Sequence, residues 1–324
     1  MDGIKNTGGV ARVVYYLNDI LTKSGYNVSI QKRNTKKRFY DKVFYPILFS
    51  FKLLFKKKFF IISNSYQSFL YPVDICIHHG TTFGFALNSN QITRGTKILT
   101  WMEKKSCKTA KKIIAVSNNN KDELINYYHA NSDKISIIHN FVDENIFFPI
   151  KNEPKNKTII LFSGEMQNNK GLQVFIELAN EIEKTDNFIL RIASINNKNM
   201  HFFECLNNTE ILTDLDINGM RNFYNSGDVF FFPTKYEGFS MSTLEALSCG
   251  IPVVGTKFAI QDNLVNYDFT YIDESNDILQ TLDIIQKMKD KFFNKKMEIH
   301  NIIKKDFGYE QYKSKILNLI ENQP

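Results

Sequence analysis

Short segments that are apolar along almost their whole length recur through this chain, and between them run stretches with helical spacing. YNVSI (26–30), FFIISNS (59–65), VDICIHH (73–79), KIIAVS (112–117) and KISIIHN (134–140) alternate with helical patterns at 10–24, 40–56, 92–110 and 118–129. A second series opens near 157. It runs KTIILFSG, helix 170–185, FILRIAS, TEILTD, helix 217–226, DVFFFPT, helix 241–249 and IPVVGT, and helical patterns at 275–305 and 309–321 close it. A strand apolar on both faces is covered on both faces, which calls for parallel strands joined by crossover helices. The expected class is therefore α/β, with two doubly wound halves. The polar, proline-bearing PIKNEPKNK stretch marks the seam. It gives an N-terminal domain 1–148, a C-terminal domain 149–305, and a last helix 306–324 that packs back on the first domain. One departure stands at the start. The glycine turn NTGGVARV (6–13) arrives with no strand before it, since Met1 to Lys5 is too short and polar to be one. The first strand is expected to be missing.

Composition narrows the class. Lys and Arg exceed Asp and Glu by 41 to 34, a net charge of +7, moderate for 324 residues, and no nucleic-acid module is recognisable. Cys76, Cys107, Cys205 and Cys249 lie far apart and read as reduced thiols of a cytosolic protein. The histidines show no zinc-binding spacing, so no metal site is expected. The polar start MDGIKNTGG does not read as a signal peptide, and the longest apolar run, Val43 to Phe55, is shorter than the ~20 residues a membrane span needs.

The chemistry concentrates in YEGFSMSTLEALSCGIPVV (236–254). Gly238 permits a tight turn, and the helix after it offers unpaired backbone N–H groups and a positive dipole end to a phosphate at residues 239–243. Glu245 is then placed to accept hydrogen bonds from a ribose diol, and Glu237 to face a group beyond the phosphate. A capping box, in which Ser242 and Glu245 merely satisfy their own helix, is an equal alternative. Lys170 follows the first strand of the second half, where open α/β sheets bind ligands, and suits a diphosphate. A solvated lysine is the bland alternative. Gly8 and Gly9 before helix 10–24 form a second anion-binding candidate.

Taken in order, these motifs resemble glycosyltransferase family 4, retaining nucleotide-sugar transferases of GT-B fold, over nearly the whole chain. NTGGVARVVYYLNDILTKSGYNV, KKIIAVSNNNKDELINYY, KISIIHNFVDENIFFP and DVFFFPTKYEGFSMSTLEALSCGIPVVGT carry the resemblance. It implies two Rossmann-like domains facing a cleft and transfer of a sugar from a nucleoside-diphosphate sugar to a glycan or lipid-linked acceptor, in surface polysaccharide or glycoconjugate synthesis. It implies no metal or other cofactor. Glu237 is expected near the donor sugar and Glu245 on the ribose. The amides around Phe239, Ser240, Met241 and Ser242 are expected on the distal phosphate, Lys170 on the diphosphate, and the Gly8–Gly9 loop to close over it. His79 matches the family's active-site histidine, with His78 the competing register. Two residues depart from the pattern: Glu165 stands where the family often has arginine, and Phe141 replaces a glycine in NFVD. With the missing strand, these keep open a degenerate, non-catalytic relative that binds a nucleotide sugar or a partner transferase; a sugar-nucleotide epimerase, which would need a different acid/base set, is a further alternative.

Residues 32–58, KRNTKKRFYDKVFYPILFSFKLLFKKK, interleave basic and aromatic side chains around a single acid, Asp41. Such a segment suits an anionic bilayer surface. A core helix with a cationic edge is the alternative. The expected location is cytoplasmic, peripheral to the inner face of the plasma membrane.

Overall fold

The computed structural model describes residues 8–31, 39–55, 59–151 and 156–322. The N-terminal residues 1–7, both ends of the basic stretch and residues 152–155 of the seam lie outside them. Contacts divide the chain into two compact units. One holds the chain up to Leu17, Asn140–Lys235 and Ser240–Pro324; the other holds Asn18–His139 and Tyr236–Phe239.

The chain begins with α1 (Gly9–Lys23) and α2 (Phe39–Leu54), then β1 (Ile62–Asn64), β2 (Ile75–His78), α3 (Thr82–Asn88), α4 (Arg94–Thr109), β3 (Lys112–Ala115), α5 (Asn118–Tyr128) and β4 (Ile135–Ile137). The four strands pair in parallel in the order β1-β2-β3-β4. Val73, Cys76, Cys107, Ile113, Leu124 and Tyr128 pack together as a core beneath that sheet. Short polar residues start the helices. Thr81 accepts from the Gly84 amide at α3, and Ser117 from the Asn120 amide at α5. The strand expected at 26–30 does not form. A strand is stable only where its backbone groups find a paired neighbour, and these residues join no described strand, with Tyr26 and Ile30 exposed. Helix α3 escaped the sequence reading because seven residues give too little periodicity.

Helix α2 buries Pro46, Ser50 and Leu53, and the Ser50 hydroxyl accepts from the Leu70 amide at 3.4 Å. Phe44, Leu48, Phe51 and Phe55, spaced by four, three and four residues, are each more than half exposed. That spacing places the first three on one face of α2, with Phe55 just beyond its end. Among the described residues no helix is long and apolar enough to cross a membrane.

The other unit is built on β5 (Thr158–Ser163), α6 (Leu172–Ile182), β6 (Phe188–Ser194), β7 (Thr209–Thr213), α7 (Ile217–Asn225), β8 (Val229–Phe232), α8 (Met241–Ser248), β9 (Val253–Gly255), β10 (Thr270–Ile272), α9 (Ile278–Phe292), α10 (Lys296–Phe307) and α11 (Tyr309–Glu321). The six parallel strands lie in the order β10-β9-β8-β5-β6-β7. From β5 the chain steps outward to β6 and β7. It then returns to the other side of β5 for β8, β9 and β10. The order reverses between β5 and β8, which is where open α/β sheets carry their ligand site, beyond the carboxyl ends of the strands. The helical pattern at 275–305 divides into α9 and α10, and β10 was too short to read.

Candidate active site

The turn after β5 is set by two close approaches. Gly171 has φ +90°, and a Cβ there would lie 2.7 Å from Pro233, so no other residue fits without strain. The Asn169 carbonyl accepts from the Lys235 amide at 2.8 Å and the Thr234 hydroxyl at 3.1 Å. These bonds tie the turn to the chain leaving β8. The expectation that Lys170 opens a helix is corrected: Lys170 ends a short 3-10 turn, left-handed Gly171 interrupts it, and α6 begins at Leu172. The Lys170 ammonium lies 5.2 Å from the centre of the Phe232 ring, the last residue of β8. Burial lowers its pKa to about 8. Lys170 thus stands over the end of β8, one of the two strands that flank the order reversal. Glu165 is held aside, its Oε1 accepting from Asn196 Nδ2 at 3.0 Å.

Helix α8 begins on the same edge. Ser240 is its N-cap, accepting from the Thr243 amide at 3.1 Å, and Ser240 and Ser242 hydroxyls lie 3.1 Å apart. The capping-box alternative fails on this geometry, because Ser242 is already inside the helix and Glu245 lies a turn further on. The Glu245 carboxylate is 2% exposed. It is paired with Arg12 of α1 and accepts from Tyr224 at 2.9 Å; the Tyr224 hydroxyl in turn lies 2.8 Å from Ser163 at the end of β5. Burial works against the Arg12 charge, and the Glu245 carboxylate outweighs it, leaving the guanidinium more firmly protonated than usual. Beside the pair is a pocket of about 10 Å³ bordered by Tyr16, Asp143 and Met241, room for roughly one water.

Gly9 lies against Met241, where a Cβ would stand 3.3 Å from its sulfur, whereas a Cβ on Gly8 would meet nothing within 4 Å. The Gly8 carbonyl accepts from the amides of Ala11 and Arg12 and starts α1. Phe141, the second departure from the family pattern, is a packing residue. It stacks on Tyr312 of α11 with ring centres 4.4 Å apart and meets Tyr16 edge-on at 5.0 Å.

The remaining expected residues belong to the four-stranded unit. His78 is fully buried between Cys76 and Cys107, each sulfur 3.4 Å from its Nε2, and burial drops its pKa to about 3. It is a core residue. His79 lies just past the end of β2 and has a different neighbour. Its Nε2 lies 3.0 Å from Asn64 Oδ1. That oxygen only accepts, so the imidazole carries its proton on Nε2 and leaves Nδ1 as an acceptor. Burial lowers its pKa to about 4, keeping it neutral near pH 7.

Glu237 is half-buried in the Tyr236–Phe239 turn. Gly238 is glycine because a Cβ there would overlap the His79 carbonyl oxygen. Phe239 lies against the His139 ring at 4.9 Å. Two buried glutamates were missed. Glu103 accepts from Ser65 (2.8 Å), from the Thr82 amide (2.9 Å) and hydroxyl (2.7 Å), and from Tyr128. Glu123 accepts from Thr81 and Tyr236, each at 2.7 Å. Nothing local in SNNNKDEL or TWMEKKS distinguishes them from surface acids. Among the described residues no three His, Cys, Asp or Glu side chains gather in a metal-binding group.

A family model described as "Glycosyl transferases group 1" matches residues 143–305, and "Glycosyltransferase Family 4" matches residues 7–146. The D-inositol 3-phosphate glycosyltransferase of Paenarthrobacter aurescens is 28% identical over 45% of this chain and 41% of its own length. The UDP-Gal:alpha-D-GlcNAc-diphosphoundecaprenol alpha-1,3-galactosyltransferase of Escherichia coli is 25% identical over 66% of this chain and 60% of its own. The chain thus spans about half the length of the relatives it matches. Sucrose-phosphate synthase from Thermosynechococcus elongatus superposes with a TM-score of 0.78 at 14% identity, covering 98% of this chain and 94% of that one. With two parallel sheets, the strand-order reversal and both family matches in place, the chain belongs to the group 1 glycosyl transferases and has their two-domain α/β GT-B fold.

Proposed function

We propose that the protein is a retaining hexosyltransferase that moves a sugar from a nucleoside-diphosphate sugar to a glycan or lipid-linked acceptor in surface polysaccharide or glycoconjugate synthesis. The observation that carries this reading is the placement of Lys170 and the α8 N-terminus together at the ends of β5 and β8, where the strand order reverses. Negative charge develops on the departing diphosphate as the anomeric carbon becomes oxocarbenium-like. A preorganised ammonium and the free amides at the start of α8 stabilise that charge most where it is greatest. Phe239, Ser240, Met241 and Ser242 supply the amide-rich turn, and Gly9 lies against Met241. In this reading Glu237 and the neutral His79 orient the sugar. A carboxylate has about four lone-pair positions, and Arg12 and Tyr224 occupy two of those on Glu245. Ribose hydroxyls take the others once Arg12 moves, since the pocket beside the pair is too small for a sugar ring. No metal or other cofactor enters this scheme. The names of the E. coli galactosyltransferase's donor and diphosphoundecaprenol-linked acceptor support the choice of substrate classes. A screen of nucleoside-diphosphate sugars for turnover tests it. Wild type should consume one donor, Lys170→Ala and Glu237→Ala should lose at least about 100-fold in kcat/KM, and turnover unchanged in both would refute it.

The exposed Phe44, Leu48, Phe51 and Phe55 face supports a second element of the same reading. The protein lies on the inner leaflet of the plasma membrane, facing the cytoplasm, with that face dipped into the interface and the lysines and arginines of 32–58 against anionic headgroups. Each such cation contributes roughly 1 kcal/mol near an anionic surface. Flotation with phosphatidylglycerol vesicles should carry the protein upward and phosphatidylcholine vesicles should not; equal behaviour with both refutes the membrane reading.

A further inference from the structure

The turn that carries Glu237 is held from both sides by side chains that no motif marks. On one side, the Tyr236 hydroxyl accepts from the Thr81 amide at 2.7 Å and donates to Glu123 Oε2 at 2.7 Å. Thr81 Oγ1 donates to that same oxygen at 2.7 Å and accepts from the Gly84 amide at 2.9 Å, capping α3. A Cβ on Gly84 would overlap the Glu123 carboxylate, so the absent side chain makes room for it. On the other side, the Ser117 hydroxyl donates to the Gly238 carbonyl at 2.7 Å while capping α5. Gly238 itself lies against the His79 carbonyl, and Gly80, with φ +119°, against the Tyr236 hydroxyl. Glu237 therefore sits between two anchored residues, and both anchors lead to the His79–Thr81 segment or to α5. Tyr236, Thr81, Ser117 and Gly238 are all buried. Hydrogen bonds in such a place hold geometry closely, because losing one partner leaves a polar atom buried and unpaired.

We propose that Glu123 and Ser117 are positioning residues of the transferase: through the Tyr236 hydroxyl and the Gly238 carbonyl they fix the Tyr236–Phe239 turn against His79–Thr81, and so set where the Glu237 carboxylate stands. The inference rests on the transferase reading for its catalytic consequence, but not for the clasp itself. Burial raises the Glu123 pKa, while its bonds from Thr81 and Tyr236 act the other way. Asn119 faces the carboxylate at 3.3 Å, and Glu103 is the charged neighbour.

The test pairs backbone hydrogen exchange across 236–240 with donor kinetics and binding of a nucleoside diphosphate, taken as the tightest binder among UDP, GDP, ADP and CDP. Wild type is compared with Tyr236→Phe, Ser117→Ala, Glu123→Ala and Glu123→Gln. Tyr236→Phe and Ser117→Ala should speed exchange in this segment about tenfold and lower kcat about 10- to 100-fold. Nucleotide Kd should stay within about threefold, because Lys170 and the amides inside α8, which the substitutions leave in place, carry most of that binding. Glu123→Gln, whose amide oxygen still accepts from Tyr236, should recover most of what Glu123→Ala loses. Exchange unchanged in both Tyr236→Phe and Ser117→Ala overturns the clasp. Faster exchange with unchanged kcat overturns the positioning role, as does a loss of kcat matched by an equal loss of nucleotide binding and of thermal stability. A wild-type protein that binds no nucleotide sinks the transferase reading instead, and the exchange measurement still decides the clasp.

Discussion

Lys170 makes the sharpest demand on solution behaviour. Burial lowers its pKa to about 8. If the ammonium meets a diphosphate, the bound state raises that pKa again, because an opposite charge favours the charged form. Between the two values, binding takes up a proton and affinity falls as pH rises. With a free-state pKa near 8, the lysine is about nine-tenths charged at pH 7 and about one-tenth at pH 9, which predicts an approximately tenfold weaker Kd, or about 1.4 kcal/mol. At pH 8 about half a proton should be absorbed per nucleotide bound. Titration calorimetry in two buffers of different ionisation enthalpy reads both quantities. Lys170→Ala should bind weakly with a flat profile. Lys170→Arg, charged throughout, should lose the pH dependence while keeping part of the affinity. A wild-type Kd unchanged from pH 7 to 9, with no proton uptake, would refute the assignment of Lys170 to the diphosphate.

Three further outcomes follow from the geometry. Arg12→Met alone should destabilise the six-stranded unit by about 3 kcal/mol, the low end for stranding a buried carboxylate, because Arg12 keeps 19% of its side chain exposed. Arg12→Met/Glu245→Met should recover most of that, and chemical denaturation of the four variants gives the coupling. Gly238→Ala should cost roughly 1–3 kcal/mol and turnover with it, since its Cβ overlaps the His79 carbonyl; Gly8→Ala, whose Cβ meets nothing, should change stability by less than about 0.5 kcal/mol. His78 and His79 are both held neutral by burial, so unfolded chains protonate first as pH falls. Stability should be full above pH 6.5 and decline toward pH 4, by up to about 1.4 kcal/mol per pH unit for each histidine, and His78→Leu should flatten part of that slope in acid-denaturation curves.

Much of the fold was legible because its strands are apolar on both faces. Segments such as TIILF and VFFF admit little other than a covered parallel sheet. What escaped was set by partners remote in sequence. YNVSI has strand-forming residues, yet no described strand pairs with it. Lys170 reads as a helix start, but Gly171 after it takes a left-handed turn packed against Pro233. At the site, Glu245 was readable as an acid near a helix start, but its burial and its engagement by Arg12 depend on packing across more than two hundred residues. Glu123 and Ser117 stood among ordinary polar residues of α5, and only the fold brings them to Tyr236 and Gly238. The substitution of Phe141 for a glycine also has its reason in three dimensions, in the aromatic cluster with Tyr16 and Tyr312.

The central claim is that an activated sugar's diphosphate binds where β5 and β8 end, between the Lys170 turn and the start of α8. Hydrogen-exchange footprinting of the whole protein with and without saturating nucleoside-diphosphate sugar tests it most directly. Slowed exchange should concentrate at 164–171 and 239–246. Binding that protects another face while leaving both segments untouched would contradict it.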